Sequence, residues 1–286
     1  MEYIITTDTT SDLPKAYVEE NNLHLLSFNY IIDEVTYDLE NDLPYKEFYD
    51  KMRDGAKPMT SQVNPEYAKN FFQELISKYD TDILHIGFSS GLSGSYNNTR
   101  AAALEVMEEN PGRKIMVVDS LAASLGQGLL VHKAIKLKNK GQSMDEVCSW
   151  LEENKLKICH YFTVDDLVYL LRGGRVSKTS AFAAGVLNIK PILHIDNEGH
   201  LVALSKVRGR KKSLKELVDN MEKRLLPGES DVFISHSDCI EDANSLANSI
   251  KERFGIDALI INHIGPTIGA HTGPGTVTLF FMGKER

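Results

Sequence analysis

The sequence predicts an α/β fold in two domains. Residues 1–156 read as a parallel, doubly wound α/β domain, and 157–286 as an α+β domain with a mixed sheet. Three observations carry this. Strand and helix patterns alternate through residues 1–155. Two β-rich runs, 191–195 and 201–207, meet in the tight turn Asp196-Asn197-Glu198-Gly199, which makes them antiparallel. A β-rich stretch within an insertion at about 27–58 interrupts the first alternation and reads as a hairpin.

In chain order, Tyr3 to Thr7 is a short β-branched strand, followed by Asp8-Thr9-Thr10-Ser11-Asp12-Leu13-Pro14, a cluster of cap and turn formers that opens a helix. Ser27 to Leu39 supplies the hairpin, and Asp42 with Pro44 starts a helix that Gly55 stops. A helix spans about Pro65 to Tyr79. A βα unit follows: strand Ile83 to Phe88, a Ser- and Gly-rich loop, and helix Tyr96 to Glu109. Strand Lys114 to Val118 leads to a long apolar helix from about Ala122 to Lys140, and Ser143 with Glu146 forms a capping box for the next helix.

The second half begins with strand Ile158 to Thr163, a helix ending in Arg172-Gly173-Gly174-Arg175, and a short helix around Phe182. After the antiparallel pair, Ser213 and Glu216 are expected to cap a helix. Strand Val232 to Ser235, a helix to Phe254, strand Ala258 to Asn262 and strand Thr276 to Phe281 complete the chain.

The chain has 286 residues, enough for one large or two ordinary domains, and its 42% hydrophobic and 25% charged content is that of a globular protein. A formal charge of -8 disfavours nucleic acid and anionic membrane surfaces as partners. Cys148, Cys159 and Cys239 lie far apart with no CxxC pair, a pattern of reduced thiols. No signal peptide and no apolar run of about 18 residues is visible, so a cytoplasmic protein without membrane insertion is expected. His spacing matches no metal motif, and no metal or cofactor is expected.

Ligands in open α/β sheets bind beyond the carboxyl ends of the strands. Here those ends are Asp8-Thr9-Thr10-Ser11, the loop Ser89 to Ser95, and Asp119-Ser120, all rich in hydroxyls and free of Lys and Arg. Such loops suit a small anionic or carbonyl group held by neutral donors, with the helix beginning near Ser95 adding its free amides. Helix capping explains the first and third equally well; the second holds more Ser and Gly than a cap needs. His271 sits in a run with four glycines and two prolines, IGPTIGAHTGPGT, which reads as a loop packed against something close. Arg172-Gly173-Gly174-Arg175 fits either a glycine helix cap or a functional loop, and the basic run Arg208 to Lys215 either a solvated helix start or a docking patch.

Two rival chemistries use the same residues. Ser93, Asp119 and His271 follow the chain order of an α/β-hydrolase triad, although Gly91-Leu92-Ser93-Gly94-Ser95 departs from G-x-S-x-G and no HGGG-type segment exists. A phosphosugar or nucleotide site would rest on a helix N-terminus alone, because GxxxxGK[ST] and GxGxxG are absent.

The motifs TTDTTSDLP at the start, TSQ at 60–62, GFSSGLSGSY at 87–96, VVDS at 117–120, LLRGGR at 170–175 and HTGPG at 271–275 together resemble the DegV family, in the family's order and over nearly the whole chain. The resemblance implies a two-domain carrier, without catalytic activity of its own, that holds one long-chain fatty acid (about C14–C18) between its domains. It further implies a role in the bacterial fatty acid kinase system, presenting the carboxylate to a separate kinase subunit. By motif match, Thr60 and Ser93 would hold the carboxylate, with His271 and Thr272 beside it, Ser61 adjacent, and Arg172 near the head-group opening where the kinase docks. TSQ continues as Val63-Asn64-Pro65, where the family commonly has Pro directly after Gln, which leaves open whether Thr60 or Ser61 faces the ligand. A monomer fits a protein that must dock to a partner. A C16 tail offers about 14 methylenes, or roughly 11 kcal/mol of gross transfer energy, so affinity would come from the tail and orientation from the polar loop. Ala122 to Ala134 and Phe182 to Leu187 are the apolar segments available to line a tunnel, or to serve as ordinary core.

Overall fold

Caps and turns set the element boundaries in a computed structural model that describes residues 2–176 and 188–286. Strand β1 (Tyr3–Asp8) ends where the Asp8 carboxylate accepts the Thr10 amide at 3.0 Å and caps a single 3-10 turn. After α1 (Lys15–Glu20), three residues form β2 (His24–Leu26), a strand too short for its period to be read from sequence. Asp33 and Glu34, with φ of 51° and 66°, turn β3 (Tyr30–Ile32) into β4 (Val35–Tyr37). Two consecutive left-handed residues are what a tight two-residue hairpin requires. Helix α2 (Tyr45–Arg53) and the short strand β5 (Met59–Thr60) complete this unit. Then come α3 (Pro65–Tyr79), β6 (Asp82–Gly87), α4 (Ser95–Glu109), β7 (Ile115–Asp119), α5 (Leu125–Asn139) and α6 (Met144–Asn154). The last opens on the expected Ser143–Glu146 capping box.

The second half runs β8 (Ile158–Thr163), α7 (Val168–Gly173), β9 (Ile189–Ile195), β10 (Leu201–Arg208) and α8 (Arg210–Arg224). It continues with β11 (Phe233–His236), α9 (Ile240–Phe254), β12 (Ile260–His263), α10 (Pro266–Thr272) and β13 (Val277–Met282). Two expectations need correction. Helix α8 starts three residues before Ser213, whose hydroxyl donates to the Arg210 carbonyl at 2.8 Å from inside the first turn and therefore caps nothing. The Gly-rich run before β13 is largely α10, with Pro266 in its first turn, and only its last glycines form a loop. The expected helix around Phe182, and the tunnel segment 182–187, lie outside the described residues.

Strands β2-β1-β6-β7 form a wholly parallel sheet. Strands β10-β9-β8-β13-β11-β12 form a mixed sheet in which only β11 and β12 pair in parallel. The predicted fold class is therefore observed. Helices α3 and α4 cover one face of the parallel sheet through Phe72, Ile76, Ala103 and Val106. On its other face lies α5, and α5 also contacts the six-stranded sheet, so Leu125, Leu129 and Leu130 share a core with Ile86, Phe233 and Phe280. A helix packed between two sheets must be apolar nearly all round, which is why its sequence shows no clear polar face. Among the described residues, no helix is long and apolar enough to cross a membrane.

Strands β3, β4 and β5 form a separate small sheet. It packs with α2 on α10, where Tyr30, Phe48, Tyr49 and Met52 bury Ala270. Tyr49 anchors the contact through the Ile264 carbonyl at 2.8 Å and Ser237 at 3.0 Å. The inserted hairpin thus bridges from the N-terminal part of the chain to the C-terminal part.

Buried polar groups tie the two sheets together. Asp12 accepts the Gly265 amide at 2.9 Å and the Ser124 hydroxyl, and its carbonyl accepts Asn262 at 2.8 Å. Arg286 donates to four backbone carbonyls, those of Lys155, Ile158, Leu121 and Asp196. Truncation would strand these buried acceptors, so Arg286→Ala is expected to cost about 3 kcal/mol, read as a lower urea midpoint.

Burial raises Asp8 to about 6 and Asp12 to about 7, despite the hydrogen bonds that oppose it. It lowers His85 to about 3 and His236 to about 4. The histidines bind fewer protons folded than unfolded between about 4 and 6.5, so they make stability rise with pH there. Asp12 binds more protons folded than unfolded from its ordinary value up to about 7, so its contribution falls with pH. Asn tolerates the left-handed backbone of position 12, at φ 52°. Asp12→Asn is therefore expected to steepen the rise in stability between pH 5 and 7, checked by urea titrations at the two values.

Candidate functional site

A cavity of about 240 Å³ opens where loops at the ends of β6 and β7 face the six-stranded sheet and α10. Phe28, Phe88, Phe162, Ile195, Leu201 and Phe280 line its body, while Thr60, Ser61, Ser93, His271, Thr272 and Arg175 contribute polar groups. Five of the six expected site residues therefore meet around one space. The sixth, Arg172, is exposed on α7 with its guanidinium 5.1 Å over the Tyr169 ring, and is not among the lining residues.

The polar side chains are delivered by several elements. Strand β5, paired with β3, carries Thr60 to α10, where its hydroxyl lies 2.7 Å from His271 Nε2. Ser61 and Gln62 follow at the exposed rim. Burial, reinforced by Arg175 and Arg172, pushes His271 down to about 4, so the imidazole is neutral at pH 7. Its Nδ1 has no hydrogen-bond partner among the described residues. With the proton on Nε2, the imidazole donates to Thr60 and leaves the Thr60 hydroxyl free to donate into the cavity.

Ser93 is oriented by a short relay. The Val63 amide donates to Ser95 Oγ at 3.0 Å, and Ser95 Oγ lies 2.9 Å from Ser93 Oγ. Ser95 is fully buried with no other acceptor in reach among the described residues, so its proton goes to Ser93. Ser93 also accepts the Ser95 amide at 3.2 Å, and its own proton remains for a ligand. Thr272 differs: its hydroxyl bonds back to the Ile268 carbonyl at 3.4 Å, within α10.

The site can therefore bind a small anionic head group through neutral hydroxyls, with one guanidinium nearby and an apolar space beside it. Burying a carboxylate is costly without partners, and short donors of this kind supply them. The hydrolase arrangement is not assembled. His271 pairs with Thr60 and not with Ser93, while Asp119 accepts the Ser90 and Leu121 amides at 3.2 and 3.0 Å. A carboxylate used to hold its own loop cannot orient a distant imidazole. The first strand-end loop also serves structure: Thr9 accepts the Phe28 amide, and Thr10 bonds Asp8 and Gln127. Of the apolar segment 122–134, the cavity takes only Ala123 and Ser124, while Leu125, Leu129, Leu130, Val131 and Ala134 belong to the core.

Sequence reasoning named Arg175 only within the Arg172-Gly173-Gly174-Arg175 motif, without assigning it to the site, and passed over Phe28. Arg175 was signalled by its place just after Gly174, whose left-handed φ of 69° ends α7 and turns the chain inward, whereas Arg172 stays on the helix. Phe28 carried no local signal.

The two glycines of the Ser-Gly loop are explained by close approach. A Cβ on Gly91 would lie 2.5 Å from the Glu198 carbonyl oxygen, because the β9–β10 turn packs directly on this loop. A Cβ on Gly94 would meet only the end of the Gln62 side chain, at 2.7 Å. Backbone yields less than a flexible amide. Gly91→Ala is thus expected to cost about 1–3 kcal/mol, against a few tenths for Gly94→Ala, compared by thermal unfolding.

A family model described as "Uncharacterised protein, DegV family" matches residues 3–284. The DegV domain-containing protein CPE0026 of Clostridium perfringens is 46% identical, over 100% of this chain and 99% of its own. Among solved structures, the fatty acid binding DegV family protein SAG1342 from Streptococcus agalactiae is 31% identical with a TM-score of 0.87, covering 100% of both chains. A DegV family protein from Thermus thermophilus, described for its fatty acid binding, is 30% identical with a TM-score of 0.87, over 99% of this chain and 100% of that one.

Proposed function

This chain belongs to the DegV family, and on that premise we propose that it binds one long-chain fatty acid, of about C14–C18, between its two halves. One observation carries the reading: an apolar cavity edged by the Thr60 and Ser93 hydroxyls, each held by one neighbour in a way that lets it donate inward. A carboxylate supplies acceptors for both protons, and Arg175 supplies charge at the same site. The tail fills the apolar body and provides most of the binding energy. The fatty acid binding of the related Streptococcus agalactiae and Thermus thermophilus proteins favours the same ligand here.

The chain then acts as a carrier, and chemistry on the carboxylate belongs to a separate acyl kinase subunit that docks over the rim formed by Ser61 and Arg172. Exposure of both residues supports that placement. Carrier and kinase meet in the cytoplasm as a transient complex, the carrier itself being monomeric. The three free thiols, Cys148, Cys159 and Cys239, agree with a reducing compartment.

Native followed by denaturing mass spectrometry of the purified protein is expected to release a C14–C18 acid. Thr60→Val and Ser93→Ala should each weaken binding about tenfold, the loss of one hydrogen bond to a charged group. Full lipid affinity in both variants would overturn the carboxylate site. Arg172→Ala should leave lipid affinity unchanged and slow kinase-coupled turnover; unchanged turnover would overturn the docking assignment.

A further inference from the structure

The ligand cavity has a neighbour. A second chamber of about 760 Å³ lies beside the first, and Phe28 and Thr267 line both. Phe28 is 5% exposed, with its ring edge-to-face on Phe88 at 6.0 Å, and it stands in the short link between β2 and β3. Thr267 lies one helical turn before His271 on α10. The partition thus stands next to the head-group site, where a chain leaving the carboxylate first chooses its path.

Small-molecule sites usually enclose about 300–1,000 Å³. The first cavity, at about 240 Å³, falls below that range, and the second lies within it. Leu13, Val18, Leu23, Leu25, Leu39 and Leu75 give the second chamber an apolar wall. Two of its carboxylates are already engaged, Asp12 with Gly265 and Ser124, and Asp42 with the Tyr30 hydroxyl at 2.7 Å. Lys15, Glu19, Glu74 and Lys78 also border this chamber but are exposed, so their charges can stay in water while the leucine wall faces a chain.

We propose that Phe28 is a specificity-determining partition, and that the second chamber receives the distal part of acyl chains too long for the first cavity. This rests on the fatty acid reading above. An aromatic ring at the junction makes passage costly, so Phe28 sets the chain length at which affinity falls.

The test is competition binding among saturated C12 to C22 acids, followed by native mass spectrometry. Phe28→Ala is expected to raise affinity for C20 relative to C16 about tenfold. Adding Leu39→Trp, at an exposed position in the lining of the second chamber, should narrow the chamber and reduce that gain. If Phe28→Ala does not fold, Phe28→Leu reads the same ratio with a smaller expected change. C16 binding with an unchanged C20 to C16 ratio would overturn the partition alone, as would a gain that Leu39→Trp leaves intact. Failure of the wild-type protein to bind any of the acids would overturn the fatty acid reading as well.

Discussion

The rest of the structure depends on a single buried helix being shared by two sheets. Helix α5 lies against the parallel sheet on one side and the six-stranded sheet on the other, and one core runs through its leucines to both. Such a helix leaves little room for polar groups, and the one large polar side chain near its start is fully committed. Gln127 donates to Thr7 at 2.9 Å and the Ile86 carbonyl at 3.1 Å, and accepts from Thr10 at 3.0 Å. The approach of the second sheet is equally tight: a Cβ on Gly126 would come within 2.0 Å of His160. The ligand cavity is the space left just before this helix begins, where Ala123 and Ser124 separate the two sheets without filling the gap.

Around that gap, polar chemistry divides into two kinds. Asp8, Asp12 and Asp119 spend their acceptors on backbone amides and neighbouring hydroxyls, and so hold loops and join the halves. Thr60 and Ser93 are instead positioned by partners, His271 and Ser95, that can donate to them and so let each hydroxyl donate to a ligand. The difference matters because an anionic ligand needs donors, and carboxylates facing it would repel it. Keeping His271 neutral serves the same arrangement, since a buried imidazolium would demand an anion even in the empty site.

Much of this was legible beforehand because it is local. Capping at Ser143, the alternation of β6, α4 and β7, and the tight turn between β9 and β10 all follow from neighbouring residues. Strand β2 was not legible, since three residues show no period and its pairing with β1 is supplied from elsewhere in the chain. Helix α10 was hidden for the opposite reason: its glycines argued for a loop, while packing of Ala270 under Phe48 and Tyr49 holds it helical. The hydrolase alternative shows the same limit, because chain order placed Ser93, Asp119 and His271 in sequence without saying which of them touch.

By itself, then, the amino-acid sequence determined most element types, the α/β class, the hydroxyl-rich character of the Ser89 to Ser95 loop and, through its motifs, the family. Those properties depend on side chains a few residues apart, or on the order of motifs along one chain. Only the tertiary structure decided that Thr60 meets His271, which lies 211 residues away, that Arg175 lines the cavity where Arg172 does not, and that Phe28 lines two cavities at once. These are distances between segments brought together by burial of a shared core, and no local pattern encodes how closely two surfaces approach once water has been excluded between them.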